Sequence, residues 1–174
     1  DPCYDASMRR RRYWLSLLIV CAAVSRPAGQ SASIDWAAVD AETLRHFEAL
    51  VRMDTSDPPG GEKPAADYVK SVLELDGIPV EVFAVNAHRP NVVARLKGSG
   101  RKRPLLIMGH TDVVNVDPKK WTHPAFSADR DGGYIYGRGT VDDKDNLTAA
   151  LMGMLLLKRN NVPLDRDVIF LAEG

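Results

Sequence analysis

Apolar residues at Leu44, Phe47, Leu50 and Val51 recur at helical spacing, which predicts a helix over residues 41–53 with Asp40 as its N-cap. Asp57-Pro58-Pro59-Gly60-Gly61 interrupts it. A second helix follows over 63–76, with Ala66, Val69, Val72 and Leu73 inward and Gly77 at the C-cap position. The period then changes to two. Residues 78–85 and 91–97 read as strands, and Gly98-Ser99-Gly100 with Arg101 to Arg103 reads as a basic turn. Residues 105–108 form a short continuous apolar run, the pattern of a strand buried on both faces. Residues 131–136 read as a hairpin. Residues 145–158 return to helical spacing through Leu147, Ala150, Leu151, Met154 and Leu155, and 168–172 is again a buried strand.

This order of helices and strands predicts a layered α/β domain. In such sheets, sites form at the carboxyl ends of strands. His110 lies just past that end of the 105–108 strand, and Glu173 at the same end of the 168–172 strand. No internal repeat and no low-complexity segment is present.

The first thirty residues follow a different pattern. Met8 is followed by Arg9 to Arg12, then by an apolar stretch of twelve residues from Tyr13 to Val24, then by a small, polar flank through Ser33. Charge order, length and flank are those of a secretory signal peptide, expected over 8–30 with cleavage within 24–33. Twelve apolar residues are short for a bilayer span. The expected location is therefore exported, periplasmic or extracellular, with a membrane anchor as the alternative if the segment stays uncleaved. Residues 1–7 precede Met8 and read as translated upstream sequence, which leaves 31–174 as the folded domain.

Charge changes the picture once this segment is set aside. The chain has 23 basic and 23 acidic residues, but residues 1–30 hold five Arg and two Asp, so the remainder is net −3. Its mildly acidic surface has no basic stripe of the kind that binds nucleic acid. Both cysteines, Cys3 and Cys21, lie in the N-terminal segment. A disulfide framework and a thiolate zinc site in the domain are excluded, so any metal there is held by His, Asp and Glu.

Two stretches carry chemistry. Gly109-His110-Thr111-Asp112-Val113-Val114 puts an imidazole and a carboxylate two residues apart at a strand end, pointing to one side. Asp112 can then accept from the His110 ring nitrogen that does not face the site, which fixes the tautomer. A strand-end His beside a turn Asp is the plainer alternative. About thirty residues on, Gly137-Arg138-Gly139-Thr140-Val141-Asp142-Asp143-Lys144 puts an acidic pair in a glycine turn before a helix. Asp145 can cap that helix, which leaves Asp142 and Asp143 for another role, and a carboxylate can bridge two metals. A dinucleotide fingerprint starting at Gly137 fails, because Asp142 stands where its third glycine belongs. His46, His88 and His123 read as surface or loop residues, although Trp121, Pro124 and Phe126 around His123 can line a cleft.

Together, His110 to Val114, Trp121 to Phe126 and Gly137-Arg138-Gly139-x-x-Asp142-x-Lys144 resemble the two N-terminal signatures of a co-catalytic zinc exopeptidase family. That family includes aminoacylase, glutamate carboxypeptidase, acetylornithine deacetylase and succinyl-diaminopimelate desuccinylase. The resemblance runs from about residue 40 to Gly174 and implies a three-layer α/β/α catalytic domain, incomplete at the C-terminus. It implies that His110 is a ligand of one zinc, that Asp112 orients His110, that Asp142 bridges two zinc ions, and that the Asp142–Asp143 peptide is cis. Cobalt or manganese are implied substitutes. A Glu-Glu pair carrying the general base, the remaining ligands and a lid domain are expected beyond Gly174. The implied activity is hydrolysis of an amide bond in a small peptide or N-acyl amino acid, with this chain alone inactive. A homodimer through the lid domain is a further implication. Two other classes compete: a non-catalytic binding domain that keeps the peptidase fold, and a membrane-anchored structural protein resting only on residues 8–24.

Overall fold

The structure, a computed structural model, describes residues 33–174; the signal-peptide and upstream-residue expectations lie outside the described residues. Helix α1 spans Trp36–Val51, α2 Lys63–Leu75 and α3 Lys144–Arg159. Strands β1 (Ser56–Asp57), β2 (Val80–Phe83), β3 (Asn91–Leu96), β4 (Leu105–His110), β5 (Val113–Val114), β6 (Asp129–Asp131), β7 (Tyr134–Tyr136) and β8 (Val168–Glu173) complete the set, with a 3-10 turn at Pro118–Lys120.

The first helix begins earlier than its periodicity suggests. Asp35 is its N-cap, accepting from the Ala38 amide at 3.2 Å, and Asp40 lies within the helix. A side-chain oxygen that reaches the amide three residues on satisfies an otherwise orphaned donor. At the end of α2 the chain turns through Gly77 (φ +67°), whose amide bonds to the Glu74 carbonyl while that of Ile78 returns to Leu73. This positive φ is why a glycine ends the helix there.

The main sheet has the order β2-β3-β8-β4. Strands β2 and β3, and β3 and β8, are antiparallel; β8 and β4 are parallel. Val92, Ala94, Leu96, Val168, Phe170 and Ala172 face the helices and form one core with Leu50, Val69, Leu73, Leu147, Leu151 and Leu155. Each of the Val, Leu and Phe side chains among them contributes about 1.5–3 kcal/mol on burial. These described residues supply two layers, the helices and the sheet.

The expectation that 105–108 is buried on both faces is corrected. Strand β4 is the edge of this sheet, and Leu105, Leu106 and Met108 are about half exposed. A continuous apolar run reports the character of its side chains but not the strand's place in the sheet. The expected cap of the last helix is also corrected: Asp143, not Asp145, occupies the N-cap position, and Asp145 lies in the first turn.

Two small pairings shape the upper edge. Strands β1 and β5 run parallel, Ser56 opposite Val113 and Asp57 opposite Val114. Strands β6 and β7 form the expected hairpin. The parallel register of β4 and β8 puts His110 opposite Glu173, so both carboxyl ends open on the same edge.

Candidate metal centre

His110 is the last residue of β4. The chain is held to β8 immediately afterwards, where the Thr111 amide and hydroxyl both donate to the Glu173 carbonyl, at 2.7 and 2.9 Å. The ring of His110 is therefore presented from a fixed strand end. Its Nε2 lies 3.0 Å from Asp142 Oδ1. Its Nδ1 lies 3.0 Å from the Asp112 carbonyl oxygen and 3.2 Å from Asp112 Oδ1. Asp142 is exposed, and the Asp142–Asp143 peptide is cis.

Both ring nitrogens thus face acceptors. Burial works against a charge on His110, but the carboxylate of Asp142 and the acceptors of Asp112 outweigh it and raise the pKa above the ordinary histidine value. In the charged ring both nitrogens donate, Nε2 to Asp142 and Nδ1 to Asp112. With Nδ1 against the Asp112 carbonyl, Nε2 is the ring nitrogen that faces Asp142.

The loop that delivers Asp142 is built around Gly139. Its φ is +85°, and a Cβ there would fall 2.7 Å from Val113 Cγ1. Only glycine combines that backbone with that approach. The helix that follows starts with Lys144, which is fully buried and donates to the Met53 carbonyl at 2.7 Å. Burial pushes its pKa down to about 8, against the pull of Asp54.

The donor chemistry suits a divalent metal of the zinc type, one neutral imidazole and one carboxylate. Among the described residues, no group of three or more His, Cys, Asp or Glu side chains converges. His110 and Asp142 are thus a pair of candidate ligands that no third such side chain joins among the described residues.

The other histidines divide. His88 is exposed in its turn, as expected. His46 is not a surface residue: it is 4% exposed, with Nδ1 2.8 Å from the Tyr68 hydroxyl and Nε2 3.5 Å from Glu42. The Tyr68 ring and hydroxyl from α2 cover it despite its polar sequence neighbours. His123 is half-buried, stacked on Tyr136 with centroids 4.1 Å apart and bonded to Asp129. Trp121, Pro124 and Phe126 do line a cavity with it, of about 630 Å³.

Sequence reasoning overlooked Thr55. Its hydroxyl donates to the Thr111 carbonyl at 2.6 Å, and its own carbonyl accepts from Val113. Its position after the first helix gives no signal for this. Lys144 was legible only as part of the second signature, without a role.

Comparison with known proteins places these features in a wider group. Residues 106–174 match the model of peptidase family M20/M25/M40. The chain is 38% identical over 133 residues to an N-formyl-4-amino-5-aminomethyl-2-methylpyrimidine deformylase from Halalkalibacterium halodurans, covering 74% of this chain and 31% of that protein. It is 33% identical over 122 residues to a probable succinyl-diaminopimelate desuccinylase from Staphylococcus aureus, covering 69% of this chain and 29% of that protein. Among solved structures it resembles the M20 family metallo-carboxypeptidase Sso-CP2 from Sulfolobus solfataricus, with a TM-score of 0.68, 31% identity, and coverage of 76% of this chain and 30% of that one. The chain thus spans about a third of the length of the curated relatives it matches.

Proposed function

We propose that this chain, whose residues 106–174 match the model of peptidase family M20/M25/M40, carries part of the metal centre of an amide-bond hydrolase. The substrate class is a small peptide or an N-acyl amino acid. The observation that supports this reading is the convergence of His110 Nε2 and Asp142 Oδ1 at 3.0 Å, with Asp112 on the far nitrogen.

In this reading His110 would hold a zinc ion through Nε2, and Asp142 would be the carboxylate ligand of a two-metal centre. Bound there, the metals would supply Lewis acidity toward a scissile carbonyl and activate water, and cobalt or manganese would be substitutes for zinc. Asp112 keeps the Nδ1 proton in place, so His110 presents a lone pair at Nε2. Holding a metal there would require His110 to be unprotonated at Nε2. Asp142 is exposed, and its contact with His110 is made through Oδ1. This reading needs further ligands and a general-base carboxylate besides His110, Asp112 and Asp142. Export directed by residues 8–30 completes the proposal.

The test uses the full-length protein, stripped with a chelator and reloaded with zinc. Hydrolysis of a panel of dipeptides and N-acyl amino acids should disappear on stripping, return on reloading, and be lost in His110→Ala. Hydrolysis that survives both stripping and this substitution would overturn the reading.

A further inference from the structure

Two residues directly after Asp142 are tied to the segment that carries His110, and they reach it by separate routes. Asp143 takes the direct one. Its Oδ2 accepts from the His110 backbone amide at 3.2 Å, and its Oδ1 accepts from Asn146 at 2.6 Å. The carboxylate is thus held at both oxygens. Gly109 makes room for it, since a Cβ there would fall 2.9 Å from Asp143 Oδ2.

Lys144 takes the indirect route. Its side chain passes beneath Gly139, with Cδ 3.0 Å from where a Cβ would stand, and ends on the Met53 carbonyl. Two residues on, Thr55 grips the other side of the His110–Asp112 unit. Its hydroxyl donates to the Thr111 carbonyl at 2.6 Å and its carbonyl accepts from Val113 at 3.0 Å. The β1–β5 pairing extends this grip through Val114. Burying an ammonium is costly, and this one donates to a backbone carbonyl rather than to a carboxylate. Its hydrogen bond holds a position in the chain.

We propose that Asp143 and Lys144 are positioning residues that lock the two ligand-bearing segments together, Asp143 through the His110 amide and Lys144 through the 53–55 segment to Thr111. The proposal rests on the metal-centre reading of His110 and Asp142. One tie fixes where His110 begins, and the other fixes the turn that carries Asp112. Together they set the approach of the imidazole to Asp142 before any metal arrives. Groups that orient a ligand in this way are worth roughly 10–100-fold in metal affinity.

The experiment titrates the metal-free full-length protein with Co²⁺ alone and records the dissociation constant and the d–d absorption spectrum. Asp143→Ala and Lys144→Met should each weaken Co²⁺ binding about 10–100-fold and alter the d–d bands. Asp143→Asn keeps one carbonyl oxygen for the His110 amide and should recover much of the loss. Thr55→Val, nearly isosteric, removes only the hydroxyl tie and keeps the test open if Lys144→Met fails to fold; it should weaken Co²⁺ binding in the same direction. His110→Ala and Asp142→Ala test the underlying reading. If these two abolish binding while the Asp143, Lys144 and Thr55 variants match the parent in affinity and spectrum, the positioning proposal is overturned and the metal centre stands. If His110→Ala and Asp142→Ala bind Co²⁺ like the parent, the metal-centre reading fails and the proposal falls with it.

Discussion

His110 and Asp142 are 32 residues apart in the chain, yet the imidazole Nε2 of one lies 3.0 Å from a carboxylate oxygen of the other. The contact closes a loop that leaves the sheet after β4 and returns at the start of α3. Its two ends meet where the parallel strands β4 and β8 finish together.

Three single substitutions should rank by what each removes. In the full-length protein, Asp112→Ala removes the carboxylate 3.2 Å from His110 Nδ1 but keeps the main-chain carbonyl 3.0 Å from that nitrogen, so it should cost least, about tenfold in metal affinity or turnover. His110→Ala deletes a ligand and should cost more. Asp142→Ala should cost most, because it removes the negative charge expected between two dications. Metal content and turnover of the three, measured side by side, give the order. Near-normal values for Asp142→Ala would rule out a bridging role.

Residues 1–174 produced alone should show no amide hydrolysis above background. A zinc site takes three or four protein ligands, and the described residues bring together two candidates. An N-acyl amino acid assay with and without added zinc is the check. Turnover that a chelator abolishes would contradict this expectation.

Acid should weaken the helix layer through Glu42. Arg159 donates to both its oxygens, at 2.6 and 3.0 Å, and lowers its pKa to about 2 from an ordinary 4.5. A carboxyl depressed in the folded state stabilises above its unfolded pKa. That contribution is present above about pH 4.5 and is lost as pH falls toward 2. With Arg159 partly exposed, the effect should be about 1–2 kcal/mol. Urea unfolding from pH 6 to 2.5 should show a shallower acid loss in Glu42→Gln than in the parent (~1–2 kcal/mol less).

The core offers a direct stability test. Leu151 is fully buried among residues of all three described helices and the sheet. Leu151→Ala should destabilise by about 2–5 kcal/mol, through lost burial and the cavity left behind. Chemical denaturation should show a lower midpoint with a nearly unchanged slope.

The helices were legible because their apolar positions repeat at the helical period, and the inward residues of α2 and α3 follow that pattern. The start of α1 was not. Asp35 and Asp40 are both capable caps, and only the reach to the Ala38 amide decides between them. The edge position of β4 was hidden for a similar reason: an apolar run looks the same at the centre of a sheet and at its margin. At the candidate site, His110 and Asp112 could be read from a two-residue spacing at a strand end. Thr55 and the Lys144 anchor could not. The Lys144–Met53 bond joins residues 91 apart, and no local pattern announces a contact of that span.

The exposed margin of β4 bears on how this chain behaves in a test tube. Leu105, Leu106 and Met108 stand about half in water along a strand whose outer backbone has no neighbour in the described sheet. Such a margin is a template for another strand. Solutions of the isolated 174-residue chain should therefore grow turbid or sediment faster as concentration rises. A lysine at Leu106 or Met108 should keep them clear by placing like charges where two edges would meet.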